Sequence, residues 1–124
     1  MDKTQNPMRE PRLFDSNKMA WDEHHISADI LVKVFETYET HPAARIMLVR
    51  VAVGGAINPH EHEEEAETAY VLAGQATLTF RNDEALLEGG AGVTVPPGLV
   101  HSLRNTGSVP LEMIAIHVLL KQTH

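Results

Sequence analysis

Two histidines and five glutamates crowd into thirteen positions of this chain, NPHEHEEEAETAY at residues 58–70. Imidazole nitrogens with a carboxylate oxygen form a borderline donor set, suited to Mn, Fe, Co, Ni, Cu or Zn more than to Ca or Mg. In a strand, residues i and i+2 point to one face, so His60 and His62 can reach a single ion together. A carboxylate returning on the neighbouring strand, and a third imidazole, would complete such a site. An acidic stretch with one His-x-His pair is, by itself, more often a solvated turn. The elements around it decide between the two readings.

Those elements belong to a chain of 124 residues, enough for one domain that buries a core without disulfides. Apolar residues make up 43% and charged residues 22%, ordinary for a soluble globular protein. There is no cysteine, which excludes a disulfide framework and a thiolate metal site and fits a cytoplasmic protein. Net charge is −7 with histidines neutral, and no Lys/Arg cluster appears, so nucleic acid is excluded as a partner. No apolar run approaches the roughly 18 residues of a membrane span. The start, MDKTQNPMREPRL, lacks the apolar core of a secretory signal.

Residues 1–20 carry no periodicity and read as an arm, disordered or packed on a neighbouring subunit. The domain is expected over 21–124, beginning at Trp21. From there the hydrophobic pattern has period two: DILVKVFETY (29–38), RIMLVRVAV (45–53), AYVLAG and QATLTF around Gly74, and LEMIAIHVLL (111–120). Gly and Pro punctuate these runs every ten to fifteen residues. EEEAETA is too short for an isolated helix and is bounded by strand-like sequence. The pattern predicts an all-β antiparallel sandwich or barrel.

Two spacings stand out within it. Gly54, His60, His62, Glu67 and Gly74 are separated by five, one, four and six residues. Gly90, Pro96, Gly98, His101 and Asn105 are separated by five, one, two and three. Both resemble the two signature motifs of the cupin superfamily at every signature position, and the fifteen residues between them resemble the short spacer of small single-domain bacterial cupins. The resemblance implies a cupin jelly-roll barrel. It implies His60, His62, Glu67 and His101 as ligands of a divalent transition metal (Mn, Fe, Ni, Cu or Zn), and it implies a homodimer. Among the glutamates only Glu67 has the spacing that joins the histidines, so Glu63, Glu64 and Glu65 are expected as surface charges. His101 is expected from the opposite sheet, past a turn stiffened by Pro96 and Pro97. Gly54, Gly74, Gly90 and Gly98 are expected at turns that need positive φ or close backbone approach.

Strand parity extends this to a pocket. With Glu112 facing out, Met113, Ala115, His117 and Leu119 face in. With Arg50 out, Met47, Val49, Val51 and Val53 face in. Glu67 brings Ala69 and Val71 with it, and His101 brings Leu103. The expected cavity is apolar with one extra histidine, His117. That residue is either a catalytic proton shuttle or hydrogen-bond donor to a metal-bound substrate, or a core histidine satisfied by a neighbouring backbone group or water. On this reading His117→Ala leaves metal content within about twofold, and a larger loss makes the residue a ligand or a support to one. His24, His25, His41 and His124 have no partner pattern. Tyr70 is expected outside the pocket.

The leading functional expectation is a metalloenzyme acting on a small, largely apolar or aromatic molecule. A dioxygenase-type reaction comes first, with isomerisation or decarboxylation behind it. The alternative is a metal-assisted binding or sensory module without catalysis. A sugar-nucleotide epimerase is disfavoured by the few polar or cationic groups in the pocket.

Overall fold

The computed structural model describes residues 10–25 and 27–120. Among these, ten strands follow a 3-10 turn at Ser16–Lys18. They are β1 (Asp22–His24), β2 (Ser27–Glu36), β3 (Ala44–Val51), β4 (Ala56–His60), β5 (Glu65–Ala73), β6 (Gln75–Phe80), β7 (Asp83–Glu88), β8 (Gly92–Val95), β9 (His101–Asn105) and β10 (Leu111–Leu119). One sheet has the order β1-β2-β3-β10-β5-β8 and the other β4-β9-β6-β7, with antiparallel pairing throughout. From β3 to β10 the chain changes sheet at every connection except the β6–β7 hairpin. The architecture is a jelly-roll β-sandwich: the period-two pattern predicts the antiparallel sandwich, and the cupin resemblance implies the jelly roll. No helix among the described residues is long and apolar enough to cross a membrane.

The inner faces of both sheets meet in one apolar core, with Val51, Val71 and Leu111 fully buried at its centre. In β10 the alternation is clean: Leu111, Met113, Ala115 and His117 are buried, while Glu112, Ile114 and Ile116 lie on the outer face. Parity stops at the strand ends. Val53 lies past the end of β3 and Leu119 is the last residue of β10, and both are exposed rather than inward. Tyr70 is exposed, as its parity predicts.

All four expected turn glycines have positive φ, from 78° at Gly54 to 93° at Gly90. Gly74 is the most constrained, because a Cβ there would sit 2.8 Å from the Pro110 carbonyl oxygen. Gly98 at φ 81° bends the loop before β9 so that its N–H donates to the His62 carbonyl at 2.8 Å. That bond ties the second motif to the first. Asn105 ends β9 as a buried staple, its amide donating to the carbonyls of Val51 (3.0 Å) and Val109 (2.9 Å).

The first nine residues of the expected arm lie outside the described residues. The remainder, 10–20, lies along β2 of its own sheet. Phe14 stacks on Phe35 at 4.5 Å between ring centroids, Arg12 pairs with Glu36 at 3.1 Å, and Lys33 Nζ donates to the Ser16 carbonyl at 2.7 Å. An aromatic stack and two cation contacts to side chains of β2 give this segment a definite seat.

Candidate metal centre

The two motifs converge at one mouth of the sandwich, by a route that differs from strand parity. His60 is the last residue of β4 and pairs directly with His101, the first residue of β9, in the four-stranded sheet. β4 breaks register between Ile57 and His60, where Pro59 supplies no N–H for the ladder. The chain then crosses to the other sheet, so His62 lies on the connector and Glu67 rises from β5 in the six-stranded sheet. His60 and His62 therefore do not share a strand face, and Glu67 is not on a strand neighbouring His60. His101 comes from the sheet opposite Glu67, as expected, but from the same sheet as His60.

One donor atom from each of His60, His62, Glu67 and His101 lies within 4.8 Å of the other three. The rings are oriented for this. His60 Nδ1 donates to the Asn58 carbonyl and His101 Nδ1 to the Leu99 carbonyl, both at 2.8 Å, which turns both Nε2 atoms inward. A ligating histidine is typically held in this way through its other nitrogen. His62 Nδ1 lies 3.3 Å from Glu65 Oε1. Its Nε2 is buried without a hydrogen-bond partner and lies 3.8 Å from Glu67 Oε1. Three inward Nε2 atoms, one of them unsatisfied, beside a carboxylate fit a divalent transition metal.

Electrostatics agree with that fit. Burial lowers the His62 pKa below 6.5, and His117 and His60 add to the effect, outweighing the Glu67 and Glu65 carboxylates that raise it. The neutral ring that results is the ligating form. Burial pushes the Glu67 carboxyl up, but the imidazoles of His117 and His101 against it overcome this and hold the pKa down at about 2. Glu67 is thus a carboxylate ready to ligate.

Beneath the donors lies a cavity of about 340 Å³. Met47, Val49, Ala69, Leu103, Met113 and Ala115 line it, whereas Val71 is packed in the core away from the lining. Ile30, Val32 and Leu78 extend the apolar wall.

A match to the family model "Cupin domain" covers residues 47–117 and so contains all four donors. The chain is a cupin. It is 30% identical over 81 residues to an oxalate-binding protein of Thermotoga maritima, covering 64% of this cupin and 67% of that protein. It is 33% identical over 75 residues to a mannose-1-phosphate guanylyltransferase of Klebsiella pneumoniae. That match spans 60% of this cupin but only 16% of the enzyme's length. The solved structure of a predicted oxalate decarboxylase from Thermotoga maritima superposes with a TM-score of 0.80 at 23% identity, covering 88% of this cupin and all of that chain. This last likeness concerns the fold.

Several residues of this cupin stand where sequence reasoning did not put them. Glu65 is no surface charge: its side chain is 14% exposed, and it meets Arg45, His62 and the Tyr38 hydroxyl. Burial and Glu65 push the Tyr38 pKa up to about 12. Glu63 and Glu64 are exposed. His24 and His25 stack at 4.4 Å between centroids where β1 turns towards β2, and both line the mouth of the cavity. Neither has a local pattern that announces it, since the β1–β2 pairing brings them there. His41 Nδ1 accepts from the backbone of Ala43 and Ala44, which makes it a turn residue. His124 lies outside the described residues. His117 reaches the donors but does not point a free nitrogen at the cavity: Nε2 lies 2.9 Å from Glu67 Oε2, and Nδ1 lies 3.2 Å from an Arg45 nitrogen.

Proposed function

We propose that this cupin is a metal-dependent enzyme acting on a small, largely apolar or aromatic molecule, with an oxygen-dependent, dioxygenase-type reaction first. The observation that carries the reading is that the His60, His62, Glu67 and His101 donors open into an apolar cavity of about 340 Å³. A metal held by these four residues would supply open coordination positions, Lewis acidity and, where redox-active, electrons for oxygen chemistry. The walls do the rest. Met47, Leu103 and Met113 bind an apolar body and exclude water from it, and the cross-strand pair Ala69 and Ala115 leaves room next to the donors. His117 has both ring nitrogens engaged, which favours redox chemistry over isomerisation or decarboxylation routed through a proton on that ring.

A second reading, a metal-assisted binding module, is favoured by the relative named for oxalate binding. Beyond the metal itself, a dianion would find little complementary charge from the protein, because Arg45 on the lining already pairs with Glu65 at 3.3 Å. The deciding experiment loads the protein separately with Fe(II), Mn(II) and Zn(II) and offers small aromatic hydroxy and carbonyl compounds, then oxalate. Oxygen uptake with the redox metals supports the first reading, and oxygen-independent conversion that persists with zinc moves the assignment to Lewis-acid chemistry. Binding of oxalate without turnover of anything supports the binding module. The proposal includes a cytoplasmic homodimer, supported by outer-face apolar side chains such as Tyr70 and Leu72 and tested by light scattering for twice the chain mass.

A further inference from the structure

Three inward side chains form a row across three neighbouring strands. Arg45 on β3 pairs with His117 on β10, and His117 pairs with Glu67 on β5. Up to that point the inner face of β10 is apolar, through Leu111, Met113 and Ala115, so a histidine there is a departure in the pattern.

The hydrogen bonds in this row have a fixed direction. A guanidinium only donates, so at 3.2 Å from the Arg45 nitrogen His117 Nδ1 accepts, and the proton of the neutral ring sits on Nε2. Nε2 then donates to Glu67 Oε2 at 2.9 Å. The other carboxylate oxygen, Oε1, faces His101 Nε2 at 2.9 Å and His62 Nε2 at 3.8 Å. One oxygen of Glu67 is presented to the donor cluster and the other is held away from it.

We infer that Arg45 and His117 are positioning residues that hold Glu67 as a one-oxygen ligand, which keeps a coordination position open for substrate. The inference rests on reading the cluster as a metal centre. A carboxylate without this restraint can rotate and offer both oxygens, filling the position that the substrate needs. Arg45 sets the tautomer, and its contact with Glu65, which faces His62 Nδ1, connects the support of two ligands through one guanidinium. Supports of this kind contribute about 10–100-fold to metal affinity.

Cobalt(II) alone is the probe, because its visible absorption reports coordination number while titration reports affinity. In His117→Leu, cobalt affinity falls by about 10-fold or more and the visible bands change as the second oxygen enters. In His117→Gln, which keeps an N–H near the position of Nε2, affinity and bands stay close to wild type. Arg45→Met leaves the ring in place but frees its tautomer, and shifts the bands in the direction of His117→Leu; it carries the test if His117→Leu does not fold. Unchanged bands and affinity in folded His117→Leu, or in Arg45→Met, overturn the inference and leave His117 as packing. A Gln variant that behaves like Leu also overturns it, since the hydrogen bond would then not be the support. Failure of the wild-type chain to take up cobalt is a separate result, which removes the metal centre itself.

Discussion

His60 and His101 face each other across β4 and β9, and each fixes its ring by donating from Nδ1 to the carbonyl two residues earlier, Asn58 and Leu99 respectively. The same local device, repeated on paired strands, aims two Nε2 atoms at one point before any ion arrives. Preorganisation of this kind lowers the ordering cost of binding.

Protein purified without chelator is therefore expected to carry about one transition metal per chain by elemental analysis, and His62→Ala to fall below about a tenth of that. Loading should raise the melting temperature, with about 2.7 kcal/mol of stabilisation at a hundredfold excess over Kd. A wild-type chain that stays folded and metal-free under titration would sink the site.

Ala115→Leu tests the cavity separately from the donors. The added methylenes enter open space, so the loss of stability should stay below the roughly 1–3 kcal/mol of an overpacked core. Metal content should hold while binding or turnover of apolar ligands drops by at least about tenfold, as the room beside Ala69 closes. Undiminished turnover would place the substrate elsewhere.

Gly74 and Gly90 separate backbone conformation from close approach. Both have φ near +90°, but a Cβ meets nothing within 4 Å at Gly90 and meets the Pro110 oxygen at 2.8 Å at Gly74. Gly90→Ala should lose about 1–2 kcal/mol for the conformation alone. Gly74→Ala should lose a further 1–3 kcal/mol, roughly, for the overlap. Urea denaturation of both variants measures the difference, and equal losses would refute the packing argument.

Acid should loosen the seat of residues 10–20. The Thr40 hydroxyl holds the Glu36 carboxyl below its ordinary 4.5 against the burial that raises it, and Arg12 lowers it further. A carboxyl depressed in the folded state adds stability above its unfolded value and loses it as the pH falls through the folded one. The melting-temperature gap between wild type and Glu36→Gln should therefore be open at neutral pH and narrow below 4.5. A gap independent of pH would mean that Glu36 acts by shape rather than charge.

What was legible in the sequence was whatever depends on local spacing. Four turn glycines and the inward set of β10 as far as His117 follow from fixed offsets and period two, the two donor motifs from their resemblance to the cupin signatures, and each can be read without knowing which strands pair. What depends on pairing was not legible. Glu65 looks like its exposed neighbours Glu63 and Glu64 until Arg45 and Tyr38 arrive from elsewhere in the chain to meet it. His24 and His25 reach the cavity only through the β1–β2 hairpin. His117 could be placed inward by parity, but its role depended on which residues the register put on either side. The strand ends also escaped, because Val53 and Leu119 continue the alternation after the opposing sheet has stopped.

The donors are divided between the two sheets: His60 and His101 belong to one and Glu67 to the other, with the Gly98 N–H to His62 carbonyl bond as a backbone tie between their loops. An ion between them acts as a rivet between two leaves. A bound ion would add a further tie across the two leaves, so amide exchange over 56–60 and 65–69 should slow together on loading. Occupancy would then do two things at once: the ion that arms the site would also hold its two walls together.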